Sequence, residues 1–112
     1  MGQAFHDSVP MVVISTQIPS RFLSARSGYL HELRDSTTMS SSVTKGSFRA
    51  SSPSEIAPLL DRAYRLASAG RPGPVHVEIP LDYLAEPCAP SGAFSSNEQP
   101  FFIPDEEFTE AL

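Results

Sequence analysis

The clearest alternation of apolar and polar positions runs through residues 52–80. Ser52-Pro53-Ser54-Glu55 has a hydroxyl, a proline and a carboxylate where helix N-termini favour them. Pro58 lacks a backbone donor, so we expect an irregular first turn, and Gly70 suits a left-handed helix end. Between them, apolar residues recur at the three-and-four spacing of one buried helical face: Ile56, Leu59, Leu60, Ala63, Leu66 and Ala67.

A strand is predicted directly after this helix. Val75, Val77 and Ile79 alternate with His76 and Glu78, and Pro80 ends the alternation. The two polar residues share one strand face, and packing against a helix is enough to explain them. A helix, a short turn and a strand form half of a β-α-β unit, which predicts a parallel sheet.

The first half of the chain adds weaker signals. Residues 9–15 are apolar without alternation, which is typical of a strand buried on both faces. A buried helix is the alternative, but the length, the β-branched residues and Pro10 favour a strand. We also expect a last helical turn at residues 3–6, a short helix from Asp35 or Ser36 to Met39, and an extended segment near Phe48. The predicted fold class is therefore α/β, with an incomplete parallel sheet flanked by helices.

Composition narrows the function classes. The chain has 112 residues and a net charge of −5, which argues against nucleic acid as a partner. No apolar run approaches the ~18 residues of a membrane span, and the start lacks a secretory signal, so the cytoplasm is the expected location. Cys88 is the single cysteine and excludes an intramolecular disulfide. Four of the eleven prolines lie in residues 87–104, so we expect the ordered part to be residues 1–86.

His31-Glu32 is the pair with the clearest chemical interpretation. A histidine transfers protons near neutral pH, and a carboxylate beside it can set its tautomer. The loop that carries the pair follows the first predicted strand, at the end of a parallel sheet where ligands bind. Adjacent side chains on an extended segment point apart, so a solvated surface pair remains the alternative.

Several segments together resemble the acetolactate-synthase-like branch of thiamine diphosphate enzymes. They occur in the family's order and cover residues 1–86: residues 7–15 and 17–19, Thr44-Lys45 with Phe48, residues 53–56, and above all residues 69–80, AGRPGPVHVEIP. The resemblance implies part of a thiamine diphosphate-binding fold. Residues 1–86 would form the C-terminal half of an N-terminal, pyrimidine-binding domain, and residues 87–112 the linker and start of the next domain.

The resemblance also implies site residues. The family's Gly-Gln-Val-Pro corresponds to Thr16-Gln17-Ile18-Pro19, which makes Gln17 the expected cofactor-binding residue. Its Phe-Gln-Glu near the substrate corresponds to Leu30-His31-Glu32, which makes His31 and Glu32 the expected catalytic residues. The expected cofactors of the full-length enzyme are thiamine diphosphate and Mg²⁺. We expect no metal ligand in these 112 residues, because the family holds Mg²⁺ in a C-terminal domain. The glutamate that activates the cofactor in the family would precede Met1.

The implied function is part of a 2-oxo acid decarboxylase or carboligase, inactive alone and assembled as a homo-oligomer. The family's Pro-Lys-Asp is Pro80-Leu81-Asp82 here, and together with Leu30-His31-Glu32 this departs from acetolactate synthases on the substrate side. Residues 28–33 are more similar to decarboxylases of larger 2-oxo acids, such as 5-guanidino-2-oxopentanoate decarboxylase. The alternative is a non-catalytic module that keeps only a dimerisation or interaction surface.

Overall fold

The computed structural model describes residues 1–87. Three helices and three strands make up this part, and three short 3-10 segments, at Ser20–Phe22, Pro53–Glu55 and Leu81–Ala85, join or follow them. In chain order the helices and strands are α1 (Gly2–His6), β1 (Met11–Gln17), α2 (Ser36–Ser41), β2 (Gly46–Arg49), α3 (Ile56–Ser68) and β3 (Pro74–Pro80).

The three strands form one parallel sheet with β3 in the centre. Their order is β1-β3-β2, and the register sets Val13 of β1 and Ser47 of β2 beside His76 of β3. All seven residues of β3 are buried. The α/β class with a parallel sheet flanked by helices is therefore confirmed, and the carboxyl ends of the three strands meet at one edge.

One face of the sheet carries the apolar core. Helix α3 buries Leu59, Ala63 and Ala67 of the predicted stripe against the central strand, whose contribution to this core is Val75, Val77 and Ile79. Residues at the margin of the stripe, Ile56, Leu60 and Leu66, are half-buried against the same cluster. Burying one such valine or leucine contributes about 1.5–3 kcal/mol, so this contact is the main source of stability of the unit.

The two ends of α3 agree with the sequence except in one detail. A 3-10 turn at Pro53–Glu55 precedes the α-helix, in line with the irregular first turn expected from Pro58. The side chain of Ser52 makes no cap hydrogen bond to the start of the helix. The Glu55 carboxylate accepts from the backbone N and Oγ of Ser51, at 2.7 and 2.5 Å, and not from the backbone of Ser52. Gly70 has the predicted left-handed conformation, with φ of 55°.

Lys45 joins two of the segments that carry the family resemblance. Its Nζ donates to the carbonyl oxygen of Leu66 at 2.6 Å and to that of Ala69, at the end of α3, where acceptors lack helical partners. Its backbone N donates to the carbonyl oxygen of Pro74 at 2.7 Å. A Cβ on Gly73 would lie 3.1 Å from the Lys45 stem, so the glycine there makes room for this lysine.

The prediction that residues 9–15 are buried on both faces is wrong. The strand runs from Met11 to Gln17, and the Ile14 side chain is 57% exposed. The reason is topological: within residues 1–87, β1 pairs only with β3, and α3 packs chiefly on β3. An apolar run without alternation does not distinguish a central strand from an edge strand.

Candidate functional site

His76 lies in a polar layer on the face of the sheet opposite α3. Its Nε2 is 2.7 Å from Ser15 Oγ on β1, and its Nδ1 is 2.7 Å from Ser47 Oγ on β2. In the neutral ring one nitrogen donates and the other accepts, so the two hydroxyls satisfy both. Burial lowers the pKa of His76 from its usual 6.5; Glu78 opposes this shift and Arg49 adds to it. The histidine thus links all three strands in its neutral form.

Glu78 lies two residues further along the same face and is only 1% exposed. Its Oε1 accepts from Gln17 Nε2 at 2.9 Å and from the Ser36 hydroxyl, and its Oε2 accepts from Arg49 Nε at 2.5 Å. A buried carboxylate is tolerated only when it is paired and hydrogen-bonded, and here β1, β2 and α2 each supply a partner. The network therefore fixes the carboxyl ends of two strands and the start of α2.

Gln17 connects that network to the loop after β1. Its Nε2 donates to Ser36 Oγ at 3.0 Å as well as to Glu78, and its Oε1 accepts from the backbone N of Ile18 at 2.8 Å. The amide thus has a partner inside the protein for each donor and for its acceptor oxygen. A ligand that hydrogen-bonds Gln17 would have to share or replace one of these partners.

The loop after β1 is held at both ends of its first turn. Asp82 accepts from the backbone N of Ser20 at 2.8 Å and from its hydroxyl at 2.6 Å, and these bonds lower the pKa of Asp82. Phe22 and Tyr29 stack with ring centroids 4.9 Å apart. These contacts close the loop over the end of β1, so that residues 29–32 return to the edge of the sheet.

His31 and Glu32 lie in a tight turn at this edge. The turn is formed by the backbone N of Glu32, which donates to the carbonyl oxygen of Tyr29 at 2.8 Å, and by Glu32 Oε2, which accepts from the backbone N of Tyr29 at 2.9 Å. His31 has a left-handed backbone with φ of 67° and an exposed side chain. A positive φ on a residue with a Cβ is uncommon and often marks functional or strained positions.

Two clefts open at the carboxyl edge of the sheet, and Gln17 contributes to the wall of both. One, of about 420 Å³, is lined by Thr16, Tyr29, Leu30, His31 and Leu81 among others. The second, of about 180 Å³, is almost wholly polar and is lined by Glu32, Arg34, Asp35 and Arg49 among others. The structure therefore separates the predicted pair: His31 contributes to the larger cleft and Glu32 to the smaller one.

The leucines that flank the His31-Glu32 pair do not anchor the loop against the domain, because the side chains of Leu30 and Leu33 are 75% and 52% exposed. The Phe22–Tyr29 stack and the Ser20–Asp82 bonds hold the loop instead. Leu30 lines the larger cleft together with Leu81, which makes that cleft partly apolar.

Sequence reasoning missed the Glu78 network and the Ser15–His76–Ser47 bridge. Both residues of β3 had been interpreted as ordinary strand residues packed on a helix. The available signal was the position of Glu78 between Val77 and Ile79 in a predicted strand, since a carboxylate buried there needs a cation. Its partner Arg49 is 29 residues away in sequence and nothing local identifies it.

No cluster of three or more His, Cys, Asp or Glu side chains suited to a metal ion occurs within residues 1–87. No helix in this part of the chain is long and apolar enough to cross a bilayer.

The fold and the site define a parallel α/β unit with ligand-sized clefts at its carboxyl edge. Its sequence is similar to those of enzymes of named classes. Over 89 residues the chain is 45% identical to the probable 2-ketoarginine decarboxylase AruI of Pseudomonas aeruginosa, covering 80% of this chain and 16% of that protein. It is 40% identical over 79 residues to the acetolactate synthase large subunit of Haemophilus influenzae, covering 70% and 13%. It is 36% identical over 85 residues to the mitochondrial acetolactate synthase catalytic subunit of Saccharomyces cerevisiae, covering 76% and 12%.

This chain is thus related over most of its length to the acetolactate-synthase-like proteins, in agreement with the resemblance stated above. It spans about a sixth or less of the length of these relatives. No protein-family model matches the chain.

We expect the buried histidine to make β3 less stable in mild acid. Because the folded-state pKa of His76 lies below 6.5, the unfolded state binds a proton first as the pH falls, and stability is lost between pH 6.5 and the folded-state pKa. The loss should be at most about 1.4 kcal/mol per pH unit. Hydrogen exchange of the β3 amides at pH 7.5, 6.5 and 5.5 measures it.

The control for this effect is His76→Gln, which keeps polar partners for both serines and does not titrate. Carboxylates with lowered pKa, among them Asp35, Glu55 and Asp82, are ionised throughout this pH range and contribute only at lower pH. An equal pH dependence in the wild type and in His76→Gln would contradict the assignment.

Arg49→Gln should destabilise the protein far more than Arg65→Gln. The first change leaves the buried Glu78 carboxylate without its cation, which costs about 2–3 kcal/mol given that Arg49 is 31% exposed. The second breaks the surface pair of Arg65 with Asp61 one helical turn away, worth under about 0.5 kcal/mol. Urea denaturation of the two variants compares these costs, and similar midpoints would refute the structural role of the Glu78 pair.

Proposed function

We propose that this chain is part of a thiamine diphosphate-dependent 2-oxo acid decarboxylase or carboligase. Residues 1–86 would be the C-terminal half of its pyrimidine-binding domain, and residues 87–112, which lie mostly outside the described residues, would lead into the next domain. The observation that carries the proposal is the cleft of about 420 Å³ beside His31 at the carboxyl edge of the sheet. The relatives named decarboxylase and acetolactate synthase supply the reaction class.

Within this class we favour a decarboxylase of a large 2-oxo acid. The match to the probable 2-ketoarginine decarboxylase is 45% identical, against 32–42% for seven acetolactate synthases. Three residues at which the motifs named above depart from those of acetolactate synthases, Thr16, His31 and Leu81, also line the larger cleft. Two enzymes that share a cofactor but act on different substrates are expected to differ at the residues that contact the substrate, because the cofactor chemistry is the same in both.

The larger cleft fits the organic part of the cofactor better than its metal. Tyr29, Leu30 and Leu81 offer apolar contacts, and Thr16 offers a hydroxyl close to Gln17. A heteroaromatic ring needs such a mixed wall. Mg²⁺ and a diphosphate would be held by other residues of the protein, since residues 1–87 contain no cluster of metal ligands. When bound, thiamine diphosphate supplies the electron sink for decarboxylation.

His31 is proposed to move a proton at its imidazole. Its side chain is exposed in the wall of the cleft, and a loop position with a fixed turn is suited to a group that approaches substrate. Glu32 holds that turn through its bond to the backbone N of Tyr29, so its predicted catalytic role is more specifically a positioning role. Gln17 is proposed as the polar wall against the cofactor.

A non-catalytic interaction module is the second candidate. It is favoured by the exposed apolar side chains on β1 and beside it, Val9, Met11 and Ile14, at an edge of the sheet without a strand neighbour in the described part of the chain. Such an edge readily pairs with another chain or segment. Homo-oligomer formation is compatible with either candidate.

Decarboxylation of a panel of 2-oxo acids by the full-length protein of which these 112 residues would form part, here called the full chain, tests the first candidate when thiamine diphosphate and Mg²⁺ are supplied. We expect turnover of long 2-oxo acids in preference to pyruvate. The 112 residues alone should bind thiamine diphosphate more weakly than millimolar, because the resemblance implies that another domain holds the diphosphate and its metal. Absence of carbon dioxide release with every acid, in a folded and cofactor-saturated protein, would favour the interaction module.

His31→Ala in the full chain should lower kcat/KM at least about tenfold, since proton-transfer groups contribute 10²–10⁴-fold to rate. The melting temperature should change little, because the side chain is exposed. His6→Ala, at an exposed histidine in α1, is the matched control and should leave both quantities unchanged. Unaltered kcat/KM for every substrate that His31→Ala turns over would end the assignment of His31.

A further inference from the structure

The smaller cleft, on the other side of Gln17, has features of a binding site in its own right. It lies where β1 and β2 end and where the chain enters α2. Its volume of about 180 Å³ is large enough for several water molecules or for a small ligand. Its exposed wall is almost wholly polar, so burial of apolar surface cannot be what it offers a ligand.

Both signs of charge line this cleft. Arg34 and Arg49 contribute guanidinium groups, and Glu32 and Asp35 contribute carboxylates. Within residues 1–87 the ion pairs closer than 4.0 Å are Arg49–Glu78 and Arg65–Asp61, so the four charges do not pair with one another at that distance. Charges of both signs that do not pair with one another across a small cavity are suited to a ligand that carries both.

The two carboxylates are not equivalent. Asp35 accepts from Thr37 and from the backbone N and hydroxyl of Thr38, which lowers its pKa to about 2 and uses its oxygens for the start of α2. Glu32 uses only Oε2, for the backbone N of Tyr29, and its Oε1 makes no hydrogen bond within the described residues. Glu32 is therefore the carboxylate available to a cationic ligand group.

Arg49 is held in place before any ligand arrives. Its Nε donates to the buried Glu78 carboxylate at 2.5 Å, and its Nη2 lies 3.4 Å from Ser36 Oγ. A guanidinium has five N–H donors, so at least three remain for a ligand. A carboxylate that binds this fixed group costs less side-chain entropy than one that binds a free arginine.

We propose that the polar cleft binds a small organic acid that also carries a cationic end group, with the carboxylate on Arg49 and Arg34 and the cationic group on Glu32. A purely anionic ligand would face two carboxylates, and a purely cationic one would face two guanidiniums. The inference rests on the proposed function in one respect: a guanidino 2-oxo acid, the substrate type in the name of the Pseudomonas relative, has both charges. Bound here, it would lie in the cleft next to the one that His31 lines, so the inference concerns binding and not the reacting position.

Calorimetric titration of the full chain without thiamine diphosphate tests the proposal, because no turnover then occurs. Three probes separate the charges: 5-guanidino-2-oxopentanoate has both, 2-oxopentanoate has the carboxylate alone, and butylguanidine has the cation alone. We expect the first to bind at least about tenfold more tightly than either of the others. Glu32→Gln, whose amide oxygen can still accept from Tyr29, should reduce the affinity for the first to that for 2-oxopentanoate and leave 2-oxopentanoate unchanged.

Arginine variants complete the design. Arg34→Gln should weaken both acids several-fold, Arg34→Lys should keep most of the affinity, and Arg65→Gln on α3 is the control that should change nothing. Equal affinities for the three probes, or an unaltered preference in folded Glu32→Gln, would overturn the inference. Turnover of 2-oxo acids with no charge discrimination would overturn it while the proposed function stands. Discrimination without turnover would support it and count against the proposed function.

Discussion

The buried carboxylate of Glu78 is the constraint on which the carboxyl edge of this sheet depends. A charge in the central strand of a parallel sheet is costly, and it is tolerated here because Arg49, Gln17 and Ser36 satisfy it from β2, β1 and α2. Each of these partners is thereby fixed in turn. The result is that two strands end, and α2 begins, at defined positions around one acidic group.

The two faces of β3 thus have different tasks. Toward α3, Val75, Val77 and Ile79 form a core that stabilises the unit through burial. On the opposite face, His76 and Glu78 join the strands through polar contacts that are strongly directional. Directional bonds define positions more narrowly than apolar contacts do. Gln17 and Arg49, which are bonded to Glu78 in this layer, also line the clefts.

Gln17 belongs both to the buried hydrogen-bond network and to the walls of the two clefts. Its amide belongs to the Glu78 network, yet it contributes to both clefts, and its oxygen fixes the first residue of the loop that carries His31. A change in the buried network would therefore alter both clefts at once.

The sequence by itself determined the elements whose signals are local. The period of α3, the left-handed Gly70 and the alternation in β3 were predicted correctly because helix faces and strand faces follow from neighbouring residues. The edge position of β1 was not predicted, since a run of apolar residues contains no information about how many neighbours a strand will have. Only the tertiary structure decided that Arg49 meets Glu78, that Ser15 and Ser47 meet His76, and that His31 and Glu32 line different clefts. The contacts of Glu78 and His76 join residues 29 to 61 positions apart, and parallel pairing between strands leaves no signal for them in the neighbouring sequence. The separation of His31 from Glu32 depends on the left-handed backbone of His31, at φ of 67°, which the local sequence did not indicate either.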